Sequence, residues 1–182
     1  MLCIVAFFAM AGGALLAPVL PEMVGPLATT TQNVALLLSV FTISTAVFTL
    51  VIGHFTDRVN RKRILIPSLL IYGITGLVSF FVTDFSALLL LRFLQGIGVA
   101  GMTTLAMLVI GDVYTGLDRV AAMSKISITF ALGSVFAPVI GGGLAVFGWN
   151  YAFLFFALSL PFAVLVFLFL PETRDQAAVV HH

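Results

Sequence analysis

The chain has 182 residues, of which 62% are hydrophobic and 8% charged, with a formal net charge of +1. Soluble domains are about half apolar and about a quarter charged, so a water-soluble fold is excluded. The near balance of 8 basic and 7 acidic residues leaves no electrostatic footprint for nucleic acid.

Six apolar runs follow one another, and each is long enough to be read as a helix crossing a bilayer core of about 30 Å. They cover roughly residues 1–21, 34–54, 64–82, 86–111, 124–147 and 151–170. A transmembrane β-barrel needs alternating segments of about ten residues, whereas these runs are continuously apolar. Helices, which satisfy their own backbone hydrogen bonds in lipid, fit them better. The expected fold is therefore an all-α membrane protein with a transmembrane domain over residues 1–174 and a short tail over 175–182. The closing His181 and His182 look like the start of an affinity tag and are left out of the reading.

The first run has no Lys or Arg before it, so it reads as a retained helix rather than a cleaved signal. Cys3, the single cysteine, reads as a small apolar residue of that helix. The second run carries Ser39, Thr42, Ser44, Thr45 and Thr49. These hydroxyls suit contacts between helices or a wet cavity, but they can also bond their own backbone. The fourth and fifth runs hold most of the glycine, which points to close helix packing there. The sixth is rich in Phe and nearly free of polar atoms, as expected of a lipid-facing helix.

Every Lys and Arg except Arg92 falls on alternate connections: Arg58, Arg61, Lys62 and Arg63, then Arg119 and Lys125, then Arg174. By the positive-inside rule those connections and both termini are cytoplasmic. Arg92 lies inside the fourth run, about 9 Å from its outer end at 1.5 Å per residue. A guanidinium at that depth must face protein or water, or snorkel outward. Gln95 shares its face three residues on. The following glycines spell G-x-G-x-x-G, but a dinucleotide fingerprint needs a strand, a turn and a helix start, and here the pattern sits inside one apolar run. No metal-ligand spacing, catalytic triad or phosphate loop stands out, so neither an enzyme nor a cofactor is expected. His54, at a helix end, reads as structural.

Three motifs in order carry a family resemblance. The connection Gly53 to Arg63 (GHFTDRVNRKR) resembles the loop between the second and third helices of major facilitator superfamily transporters, G-x-x-x-D-R-x-G-R-[RK], with Asn60 in place of a glycine. The stretch Arg92-Phe-Leu-Gln95-Gly96-Ile-Gly98-Val-Ala100 resembles that family's fourth-helix motif, R-x-x-Q-G-x-G-x-A. The fifth run has Gly133, Ala137, Pro138, Gly141 and Gly142, similar to G-x-x-x-G-P-x-x-G-G of the drug:proton antiporter branch, where it goes with export. Small residues at 133, 137 and 141 make one smooth face, and Pro138 bends the helix. The first run (GGALLAPVLPE) is also similar to that of twelve-helix drug exporters.

The resemblance implies half of a major facilitator fold: six transmembrane helices as two inverted three-helix repeats, in a prokaryotic inner (plasma) membrane. It implies that Arg92, with Gln95, faces the central cavity and handles substrate or protons. It also implies a gating cluster of Gly53, Asp57, Arg58, Arg61 and Asp112 on the cytoplasmic side, with Asp57 near a helix amino end. The activity expected is efflux of multidrug-type or small lipophilic compounds by alternating access. No carboxylate lies midway along any run, so a cationic substrate is less supported than a neutral or anionic one, and proton coupling stays open. Alternatives are a non-transporting structural or regulatory module and a fragment of a twelve-helix exporter. Since the family builds its pathway between two six-helix halves, Arg92 would need a second body to shield it. With the 182 residues taken as the whole chain, that body is expected to be a second copy, giving a homodimer.

Overall fold

The computed structural model describes residues 2–56 and 61–169, with the side chains of 61, 62 and 166–169 left aside. All of its regular structure is helical: α1 (Leu2–Ala14), α2 (Leu20–Met23), α3 (Thr31–Thr56), α4 (Arg61–Phe81), α5 (Phe85–Val113), α6 (Gly116–Ala145), α7 (Tyr151–Ala157) and α8 (Ser159–Phe169). Four helices are long and apolar enough to cross a membrane: Thr31–Thr56, Arg63–Phe81 within α4, Phe85–Val113 and Gly116–Ala145. At 1.5 Å per residue the shortest of them reaches about 29 Å, close to the hydrocarbon thickness.

Prolines decide where the first and last runs depart from single helices. Pro18 has no N–H, and the α-helical ladder of α1 stops at the bond from Leu15 N to Ala11 O. The chain then turns until α2 begins, where Val19 N and Leu20 N both reach Leu16 O. In the last run Pro161 removes the donor that would pair with Ala157, and the chain is interrupted at Leu158 between α7 and α8. Pro67 and Pro138 sit inside α4 and α6 without ending them, as neighbouring helices permit in membrane proteins.

Helix α6 starts at Gly116, eight residues ahead of its apolar run. Tyr114 and Thr115 are extended, and Gly116 has φ +55, a left-handed conformation that glycine takes without a Cβ penalty. At the other end of α5, the Asp84 carboxylate caps the first turn by accepting from Ala87 N at 2.8 Å.

Helix α5 is the centre of the bundle, packed by α3 on one side and α4 on another. Glycines let the backbones approach. A Cβ on Gly96 would come 2.6 Å from the Phe41 carbonyl oxygen of α3, and one on Gly98 would come 2.7 Å from the Ser68 carbonyl oxygen of α4. Helix α6 packs mainly on α1, and α7 and α8 cover α4. The expectation of a lipid-facing sixth helix is corrected for one of its faces. Phe153, Phe156 and Ser159 are fully buried in the core, while Tyr151, Leu158 and Val164 stay exposed.

A candidate functional site around a buried arginine

Arg92 sits on α5 and is 0% exposed. Its guanidinium points into the bundle, where Nη1 donates to Gly12 O of α1 at 3.0 Å. Three phenyl rings surround it, with centroids 5.6 Å (Phe41), 5.1 Å (Phe153) and 5.2 Å (Phe156) from Cζ. These come from α3 and α7, so one side chain ties four segments of the fold together. The electron-rich ring faces attract the cation in a medium where water is excluded.

The break in α1 supplies the acceptor. Since the ladder ends at Ala11 O, the Gly12 carbonyl is the first one released from the helix. It lies at the negative end of the α1 dipole, which favours a cation. The fit at residue 12 is tight: a Cβ there would come 3.0 Å from Phe41 Cζ, 3.2 Å from Tyr72 Cε2 and 3.3 Å from Val99 Cγ2, so these side chains would have to give by a few tenths of an ångström. Tyr72 closes the same wall, its hydroxyl donating to Phe8 O at 2.6 Å and its ring standing edge-on to Phe156 at 5.4 Å.

Arg92 is thus enclosed within this bundle. The small backbone of Gly12 and the aromatic walls give the side chain a way inward, and burial there removes it from lipid without a second body. Gln95 is buried with it. Neither of its amide heavy atoms has a protein partner, and Arg92 Nε and Nη2 are likewise unpaired.

The hydroxyls of α3 divide between the two readings left open from sequence. Ser44 Oγ donates across to Phe93 O of α5 at 2.7 Å, and Thr45 Oγ1 lies 2.8 Å from Phe41 O and 3.2 Å from Gly96 O. Ser39, Thr42 and Thr49 instead bond the carbonyl four residues back in their own helix.

The smooth face of α6 docks on α1. A Cβ on Gly133 would come 3.1 Å from Met10 Cβ, Ala137 is fully buried, and Gly141 lies against the Leu15 carbonyl. Pro138 is half-buried beside this face, whereas Gly142 has open space where a side chain would stand. In the last turn of α3 the Gly53 carbonyl accepts from Thr56 Oγ1 at 3.0 Å. Asp112 is exposed near the end of α5. Asp57 and Arg58, and the side chain of Arg61, lie outside the described residues. His54 is exposed, its ring edge-on to Phe55. Among the described residues no group of three or more His, Cys, Asp or Glu could hold a metal.

Sequence reasoning missed Gly12, Phe41, Tyr72, Phe153 and Phe156. Signals existed for some of them: the Gly12-Gly13 pair shortly before Pro18, and Phe153 and Phe156 three residues apart on one helical face.

An all-helical bundle with four membrane-length helices and a cation sealed in its apolar core is the architecture of an integral membrane domain. Residues 2–180 match the Major Facilitator Superfamily, and the chain belongs to that family. The family is one of transporters, not of enzymes. Among its relatives is the bacillibactin exporter of Bacillus subtilis (strain 168), 35% identical over 149 residues, covering 78% of this chain and 37% of the relative. The multidrug transporter protein MdtP of the same organism is 27% identical, covering 99% of this chain and 33% of the relative. A bacterial homologue of the human lysosomal transporter Spinster, solved inward-facing and unoccupied, shares the fold with a TM-score of 0.86 at 23% identity. The match covers 94% of this chain and 42% of that one. The chain thus spans about two-fifths or less of the lengths of these relatives.

Proposed function

We propose that this chain forms one six-helix half of a secondary transporter that works by alternating access and exports small lipophilic compounds. In this reading α1 with α2, α3 and α4 form one three-helix repeat, and α5, α6 and α7 with α8 form the inverted other, together the domain over residues 1–174. The packing pattern supports it. Exchanging the repeats maps the α3–α5 pair onto the α6–α1 pair, and both pairs pack extensively.

The observation that carries the proposal is the unequal burial of the long helices. Only 17% of the apolar stretch of α3 and 22% of that of α6 is buried, against 61% for α5. Helices of this family pair across two halves, and α3 and α6 are the faces left for the second half. In the simplest arrangement that half is a second copy of this chain, with each α3 packed on the partner's α6. The carboxyl-terminal half of a longer chain would fill the same place.

Arg92 and Gln95 act as coupling residues in this scheme: Arg92 ties α5 to the break in α1, so that a shift of either is felt by the other, and Gln95 lies buried beside it. Asp57, Arg58 and Arg61 with Asp112 and Gly53 gate the cytoplasmic side. Export is supported by the Gly133–Gly142 motif and by the bacillibactin exporter among the relatives. Neutral or anionic cargo is favoured over cationic cargo, and proton coupling is a separate question.

Flux of a lipophilic dye in proteoliposomes tests the proposal, together with the particle mass in native membrane. Asp57→Asn is expected to abolish flux while leaving the protein inserted. Assembled particles without any flux would leave a non-transporting membrane module in its place.

A further inference from the structure

We infer that Arg92 and Gln95 hold bound water inside the protomer, beside the break of α1. The inference does not rest on transport. Four polar atoms, Arg92 Nε and Nη2 and Gln95 Nε2 and Oε1, are buried from solvent and have no protein partner. The two residues lie three apart on α5 and so on one face. A buried polar group without a hydrogen bond is strongly disfavoured, and a charged one more so.

The donor set selects the ligand. Nε and Nη2 are neighbouring N–H donors of one guanidinium fork, and only an acceptor can satisfy them. Gln95 offers both a donor and an acceptor. A water accepts from the fork and donates to Gln95 Oε1, and it has a proton left for a carbonyl. The α1 break lies alongside, because Nη1 of the same guanidinium already bonds Gly12 O and the ladder ends just before it. A halide or carboxylate would accept from the fork but leave Oε1 without a donor. The phenyl walls of Phe41, Phe153 and Phe156, with Arg92 fully buried, admit nothing large.

X-ray hydroxyl-radical labelling read by mass spectrometry tests this on the full chain in lipid nanodiscs. Radicals formed from bound water oxidise the side chains beside it, even where bulk solvent does not reach. Phe153 and Phe156 are fully buried, and Phe147 is exposed and serves as the internal control. Oxidation of Phe153 or Phe156 in the wild type is expected, with its loss in Gln95→Leu while Phe147 is unchanged. Gln95→Glu, which gives Arg92 a carboxylate in place of water, is expected to lose the signal too. Unlabelled Phe153 and Phe156 in the wild type, at a dose that modifies Phe147 fully, would overturn the inference. So would labelling or thermal stability that changes when chloride is replaced by gluconate, since that would assign the site to an anion.

Discussion

Helices α5 and α3 have similar lengths and similar apolar content, yet they do opposite things. Along α5 glycine, Arg92 and Gln95 turn inward, and neighbouring backbones close on them from two sides. Along α3 only Val34, Leu37, Phe41, Ser44 and Thr56 are buried, and Leu50 is 77% exposed. The difference teaches that hydropathy reports immersion in the membrane, while residue size and backbone access report which helix holds the protomer together. In lipid an exposed leucine is no anomaly, because acyl chains are as apolar as its side chain.

Substitutions at the two helices sharpen that contrast, and the largest effect is expected in α5. Gly98→Leu would push a side chain into the Ser68 carbonyl and the Tyr72 amide, which are backbone and cannot swing aside. It should cost about 3 kcal/mol or prevent folding, measured by thermal unfolding in detergent. Arg92→Ala comes next. It leaves Gly12 O without its donor and a void among three rings, for a loss of about 2–3 kcal/mol. Arg92→Met, which fills the space without a charge, should lose less. If alanine and methionine proved equally stable, the packing account of the site would be wrong.

Tyr72→Phe removes the hydrogen bond to Phe8 O and should cost about 1 kcal/mol, read by the same assay. Within α3 itself the hydroxyls should separate. Ser44→Ala breaks a bond to another helix and should cost about 0.6 kcal/mol. Ser39→Ala breaks only a local one and should be nearly silent. The smallest change in protomer stability, within about 0.5 kcal/mol, is expected for Leu50→Ala or Val139→Ala on the exposed faces. There the measurement that matters is association: single-molecule photobleaching should count fewer paired protomers if these faces take the second half.

The positions of α3, α4 and α5 were legible to within about three residues because continuous apolar runs mark membrane depth. The start of α6 was not, since Leu117–Met123 mixes charge with apolar residues and a hydropathy window cannot see it as helix. The interruptions after Ala14 and at Leu158 were written in Pro18 and Pro161, but proline inside α4 and α6 leaves the helix intact. Only the packing around each proline separates the two outcomes. The smooth face over Gly133, Ala137 and Gly141 was readable from its spacing, though not that its partner is α1. Arg92 stood out in the sequence as a cation inside an apolar run, but its bond to the Gly12 carbonyl was not readable there.

What the amino-acid order determined by itself is the immersion of this chain in a membrane, the family it belongs to and the one ionised group that must be accommodated at depth. Those follow from composition, run length and spacing, which are local properties. Only the tertiary structure decided how the cation is held. A carbonyl released by the break in one helix meets a guanidinium 80 residues away, inside a wall of phenyl rings from two other segments. That choice depends on which backbones come close, and their approach is a property of the assembled bundle.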